Sequence, residues 1–492
     1  MKQEEYFIDI SELKDEFRDH LDLEQNERIV FSARFGNGKT TFLKIFFENN
    51  NDYKTIHIYP IHYSVASNED IFELIKYDIL FKLITTELDL DESVDSFIKI
   101  AKKSPYNNVE EVLKLFTPFL SIIPLIGNAV QKSTERLTDF FKKTLDQSKD
   151  RKKSTLDSIE EYLKEFTTIK GNIYEEDFYT RLIASLVERL KYVGPEKENQ
   201  MKTVLIIDDL DRIDPEHIFR ILNIFAAHQD TNSQGNKFGF DKIIVVCDID
   251  NIRNIFHHKY GASTDFNGYI DKFYSVEVFK YSMMEELYKE VDSILNSIKG
   301  NEALEKIFNL RRDPNYIFKT IQNLLRSFVK SGIINVRNVV KLKENKYNLY
   351  VYTLNTRENY NNIQFWGVVV FNFLKTIFGD YQEVMTAFEK SRNMLILNNI
   401  SMDKEFILQY LLLPIYCIEI KETTVNIPTI NKEKDIHLSI RLERNMSKPI
   451  VTYFAQIKDH NNSNWESVIP ICHLNELFYR TFKVAYDKNY LK

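Results

Sequence analysis

Cysteine is scarce in this chain. Three occur in 492 residues, Cys247, Cys417 and Cys472, far apart and with no CxxC spacing. That argues against a disulfide framework or a zinc knuckle and fits a reducing cytosol. A basic excess is missing too: 65 Lys and Arg face 72 Asp and Glu, for a net charge of −7. No global electrostatic footprint therefore draws the chain to nucleic acid. The opening MKQEEYFIDI lacks the apolar core of a signal peptide. The most apolar stretch, Leu115 to Val130, falls short of the roughly 20 residues that cross a bilayer, and Pro118, Pro124 and Gly127 interrupt it. No internal repeat is visible, and no Ser-His-Asp, nuclease or deaminase constellation. The pairs His57/His62 and His257/His258 lack partners at metal-ligand spacing, so they read as satisfied or surface groups. These absences point to a cytoplasmic location.

What is present fits a soluble globular protein: 43% hydrophobic, 28% charged and 13% aromatic residues, with cores expected to be rich in Phe and Tyr. The length suggests roughly two to four domains. Arg28 to Ala33 is a short apolar run, a buried strand, and an apolar helical pattern follows from Thr40. Lys54 to Tyr63 reads as a second strand and Ile71 to Thr85 as its helix. After a break the rhythm returns. Tyr179 to Tyr192 is a helix, Thr203 to Ile207 a strand, Pro215 to Ala227 a helix, Lys242 to Cys247 a strand, and Ser275 to Phe279 the last strand. Strands alternating with helices predict a parallel sheet covered on both faces, an α/β fold.

Between the first strand and its helix lies Ala33-Arg-Phe-Gly36-Asn37-Gly38-Lys39-Thr40-Thr41. It matches the phosphate-binding P-loop pattern except that Ala33 stands where the pattern has Gly. Such a loop turns backbone N–H groups around a phosphate, and the helix N-terminus adds partial positive charge. Gly36 and Gly38 permit close backbone approach, Lys39 is placed to reach the β- and γ-phosphates, and Thr40 offers a hydroxyl to magnesium. A Gly-Lys-Thr triplet alone is common by chance; the flanking strand and helix give it weight.

The second signal is Val204-Leu-Ile-Ile-Asp208-Asp209-Leu-Asp211-Arg212. An aliphatic strand ending in carboxylates sets them at the carboxyl edge of the sheet, where α/β folds bind ligands. Asp208 is the candidate magnesium partner and Asp209 the candidate to orient or deprotonate a water. Asp211 and Arg212 read as a structural ion pair or as groups facing a neighbouring subunit, and Asp211 equally well as a helix-capping or loop carboxylate. A third aliphatic strand ends in Cys247-Asp248, which puts Asp248 beside the presumed γ-phosphate. Lys272 is a candidate to complete a neighbour's site. Arg337, on a later helix, reads from its surroundings as a solvated side chain.

Taken in order, GNGKT, a long helical insertion, IIDDLDRI, CDID, GYIDKFYSVEVF and NVRNVVK resemble the KAP family of P-loop NTPases, relatives of the AAA+ and STAND ATPases. The likeness covers about residues 1 to 345. It implies an ATPase in which Lys39 and Thr40 form the Walker A pair, Asp208 and Asp209 the Walker B pair, Asp248 sensor 1 and Arg337 sensor 2, with ATP and Mg2+ as ligands. Family members often carry transmembrane hairpins between the Walker motifs; here that insertion holds only the 115–130 run, which reads as a buried hairpin, a docking surface or a membrane-contacting segment. Bacterial members are associated with exclusion of phages, so the likeness also implies a defence role with a partner effector.

The expected organisation is an NTPase core split over 1–87 and 171–282, a helical insertion at 88–170, a helical lid at 283–350 and an α+β recognition domain at 351–492. Two other functions remain open at this point: a non-hydrolysing scaffold fixed by bound ATP, and a membrane-associated organiser of a protein complex. A homo-oligomer is compatible with each.

Overall fold

The computed structural model describes residues 8–48, 50–63, 71–88, 178–192, 200–226, 238–297, 316–344, 350–393, 403–430, 435–445, 452–457 and 472–491, with residues 140, 143 and 468 besides. The 115–130 run and nearly all of the expected insertion lie outside them. The chain divides into two compact units, Ser11–Tyr281 in one and Met1–Ile10 with Ser282–Lys492 in the other.

The first unit is built on five parallel strands: β1 (Arg28–Ser32), β2 (Tyr53–Ile58), β3 (Lys202–Ile207), β4 (Lys242–Cys247) and β5 (Phe279–Lys280), in the spatial order β2-β3-β4-β1-β5. The fold is therefore α/β, as the alternation of elements predicts. Its strands read as unbroken aliphatic runs because both sheet faces are covered. On one face, Val30, Ile56, Ile58, Leu205, Ile207, Ile243, Val245 and Cys247 join a core shared with α3 (Ile71–Lys82), α4 (Phe178–Leu190), α5 (Pro215–Ala226) and α6 (Ile249–Tyr260). The other face is aromatic. Phe17 of α1 (Ser11–Asp22) sits edge-on to Phe31, Phe42, Phe46 and Phe279 with centroids 5.2, 5.8, 4.8 and 5.0 Å away. Phe42 and Phe46 belong to α2 (Lys39–Glu48), the helix after the loop. Truncating one such buried Phe costs about 3–5 kcal/mol, so the loop is anchored at both ends by well-packed elements.

The last strand departs from expectation. Only Phe279–Lys280 pairs with β1, not Ser275 to Phe279. Ser275 is used differently: its hydroxyl accepts from the Arg28 amide at 2.9 Å and its own amide donates to the Arg28 carbonyl at 2.8 Å, tying the chain to the start of β1.

The second unit contains helices α7 (Met284–Ser297), α8 (Tyr316–Lys330), α9 (Val336–Glu344), α10 (Trp366–Phe378), α11 (Tyr381–Ser391) and α12 (Leu474–Asp487), and an antiparallel sheet, β6 (Glu422–Ile427), β7 (Ile436–Asn445) and β8 (Thr452–Ile457). The α+β character is as expected. Helix α12 is an addition: the sequence reading stops at a strand-like end. Its buried positions Leu474, Leu477, Phe478, Thr481, Phe482 and Ala485 follow helical spacing, and the His473 side chain caps its start by accepting from the Glu476 amide.

Candidate functional site

The site forms where β1, β3 and β4 end. Strand β4 lies between β1 and β3, so the tips of all three meet at one edge. Ala33 prolongs the β1–β4 pairing by donating its amide to the Cys247 carbonyl at 3.0 Å. The chain then turns through Arg34–Asn37, with Gly36 and Gly38 at φ 84° and 78°. That left-handed backbone is strained for any residue with a Cβ, which is why glycine stands at both places. The first helical bond of α2 runs from the Phe42 amide to the Gly38 carbonyl. The amides of Lys39, Thr40 and Thr41 precede it and have no acceptor within the helix, and they face the loop as an anion-binding N-terminus does.

Lys39 is buried, and its ammonium donates to the Ala33 carbonyl at 2.8 Å. An ammonium has three donors, so this bond steers it across the loop and leaves hydrogens for a phosphate. Thr40 Oγ1 donates to Asp208 Oδ2 at 2.6 Å. The two groups expected at magnesium, from segments 168 residues apart, are thus already together. Asp208 is 0% exposed. It also takes a 3.0 Å hydrogen bond from His57 Nε2 and a 2.7 Å bond from the Asp209 amide to Oδ1. Burial alone pushes the Asp208 carboxyl up. The His57 contact, then Thr40 and the Asp209 amide, more than offset it and hold it below the usual carboxylate range.

Asp209 adopts φ 55°, ψ 34°, a left-handed conformation that Asp tolerates better than most residues but that still costs about 1 kcal/mol or more. The turn aims its carboxylate at Arg212, with Oδ2 2.8 Å from Nη1. The side chains are 21% and 41% exposed, and such a pair contributes only about 0–1 kcal/mol. The Arg212 guanidinium also lies 5.0 Å from the ring centre of Phe35, a loop residue 48% exposed.

Asp248 sits at the tip of β4 and caps α6, accepting from the Asp250 and Asn251 amides. Asn251 in turn donates to Asp211 Oδ2 at 3.3 Å. Asp211 Oδ1 is buried and accepts no hydrogen bond among the described residues. Burial raises the Asp211 pKa against the opposing pull of the Lys39 charge and the Asn251 bond. A carboxyl whose folded pKa is raised destabilises the folded state above that pKa, and the penalty fades as pH falls through it. Asp211→Asn is therefore expected to raise the melting temperature at pH 7 to 8, with the gain over wild type shrinking in acid. Thermal melts across pH measure it.

The geometry thus gathers Gly36, Asn37, Gly38, Lys39, Thr40 and Thr41 with Asp208, Asp209 and Asp248. Arg337 is on α9 of the second unit. Lys272 is not at this edge: its carbonyl accepts from Arg28, the first residue of β1, at the opposite end of that strand from the loop. Sequence reasoning missed His57, Ser32 and Asn251. His57 pairs in register with Ile206 on β3, which carries its ring to Asp208; the signal was a polar residue in an aliphatic strand. Ser32 Oγ accepts from the Ile249 amide at 3.0 Å and clips β1 to the end of β4.

A glycine-turned loop with a buried lysine at a helix start, beside a threonine–aspartate pair at the edge of a parallel sheet, defines a P-loop nucleotide-binding domain. The model of the KAP family P-loop domain matches residues 19–345. The chain belongs to the KAP family of P-loop NTPases. No curated protein matched it. No helix among the described residues is long and apolar enough to cross a membrane. Among those residues no three or more His, Cys, Asp and Glu group into a metal cage.

Proposed function

We propose that the chain is an ATPase whose hydrolysis cycle switches its conformation or its assembly. The observation that carries this reading is the 2.6 Å contact of Thr40 with Asp208 beside the buried Lys39. Thr40 and Asp208 would hold Mg2+, which when bound neutralises charge on the β- and γ-phosphates. The amides of Gly36 to Thr41 and the Lys39 ammonium bind and orient the triphosphate. Asp209 takes the proton of the attacking water as its oxygen bonds to the γ-phosphorus and the bridging bond to the β-phosphate breaks. The electron pair leaves with ADP. Asp248, through the helix start that it caps, and Arg337, by family likeness, respond to the γ-phosphate. The preference for ATP and a role in bacterial anti-phage defence with a partner effector rest on the same likeness. The antiparallel sheet and helices of the second unit offer that partner a recognition surface.

One observation favours a second reading, a scaffold that binds ATP without turnover: the Asp209 carboxylate is engaged by Arg212. Phosphate release under excess ATP separates the two. An ATPase releases many phosphates per chain, at a magnesium-dependent steady rate. Release that stops at one phosphate per chain or fewer would leave the scaffold reading standing and end the first.

A further inference from the structure

We propose that Arg212 is the group that reads the γ-phosphate, exchanging its contacts with Asp209 and Phe35 for the triphosphate when ATP binds. The inference rests on the nucleotide reading above and adds a residue to it. Arg212 is tied to both halves of the site at once. Its own amide donates to the Asp209 carbonyl at 3.1 Å, its guanidinium holds the Asp209 carboxylate, and the same guanidinium lies over the loop residue Phe35. Asp209 directly follows the residue that meets Thr40, and Phe35 lies four positions before Lys39. The cation therefore stands between the acidic strand tip and the phosphate-binding loop.

These contacts are weak by construction. The pair is partly exposed and open to salt. The Asp209 carboxylate takes one hydrogen bond from a fork that carries five donors, and the aromatic contact takes none. A γ-phosphate offers more charge than a carboxylate, and three oxygens matched to that planar fork. A triphosphate held by Lys39 thus competes for Arg212 with advantage, whereas ADP, without those oxygens, does not. The consequence couples binding to chemistry. When Arg212 moves to the phosphate it frees the Asp209 carboxylate, so the water-activating group becomes available only when the bond to be broken is present. This also reconciles the engaged Asp209 with an active enzyme, because the ion pair is one that a γ-phosphate displaces.

The test compares affinities for two nucleotides. Equilibrium binding of Mg-ATPγS and of Mg-ADP is measured for wild type, Arg212→Ala and Arg212→Lys. Arg212→Ala is expected to weaken ATPγS about tenfold or more while leaving ADP within about twofold, as a lost charge-assisted contact to the terminal phosphate requires. Arg212→Lys should recover part of that loss, because charge returns without the fork. An unchanged ratio of the two affinities in Arg212→Ala, or equal losses for both nucleotides, would overturn the assignment. A wild type that retains neither nucleotide would instead end the nucleotide reading, and this inference with it.

Discussion

Lys39→Ala is expected to bring magnesium-dependent ATP hydrolysis down to background and to weaken ATP binding by about ten- to a hundredfold, the range of a charge-assisted hydrogen bond lost from a buried site. The reason is geometric. Lys39 is buried and held by the Ala33 carbonyl through one hydrogen bond, which leaves two ammonium hydrogens for a phosphate in the loop. Neither the aromatic face under α2 nor the Thr40–Asp208 contact depends on its ammonium. Fluorescence binding of a labelled ATP, together with a thermal melt, checks this. The expected variant binds poorly and melts close to wild type. A variant that hydrolyses ATP at the wild-type rate would remove the loop from the mechanism.

Asp209→Asn is expected to keep ATP binding within a few-fold and to lower kcat by about 10²- to 10⁴-fold, the usual contribution of a positioned acid–base group. The substitution is clean for three structural reasons. Asn has the same shape, it is among the few residues that accept the left-handed backbone seen at φ 55°, and the ion pair with Arg212 is too exposed to support the fold by more than about 1 kcal/mol. A drop in kcat at constant affinity marks a group needed only as the bond breaks. Unchanged turnover would instead move the water-activating role elsewhere, and Asp211, whose buried Oδ1 accepts no hydrogen bond among the described residues, is the next group at this edge.

The sequence made some of this legible and hid the rest, for identifiable reasons. Strands β1, β3 and β4 could be read nearly to the residue, since strands buried on both faces are continuous aliphatic runs bounded by polar tips. The order of those strands could not, because nothing local in Lys242–Cys247 says that it slots between β1 and β3. Strand β5 shrank because pairing at Phe279 and Lys280 is settled by tertiary contacts with Phe31 and Ser32, while Ser275 is spent at the base of β1. Helix α12 shows helical spacing in hindsight, but Phe, Tyr, Thr and Val fill it and weaken its local preference.

At the site, Lys39, Thr40 and Asp208 announce themselves by motif, and the fold brings Thr40 to Asp208 and the Lys39 ammonium to the Ala33 carbonyl. His57 does not, because its role comes from strand register with β3. The cap role of Asp248 and the tie between Asp209 and Arg212 likewise come from turn geometry. Motif spacing gives the ligand class, then, while the groups that adjust the carboxylates emerge only from the packed edge of the sheet.

The most direct measurement is calorimetric titration of ATP into the purified chain, once with Mg2+ and once with EDTA. One binding site per chain, strong with magnesium and much weakened without it or in Asp208→Ala, is the result expected from a threonine and an aspartate already in contact beside a buried lysine. No heat of binding under either condition, or an affinity indifferent to both magnesium and Asp208, would contradict the assignment of that contact as the nucleotide site.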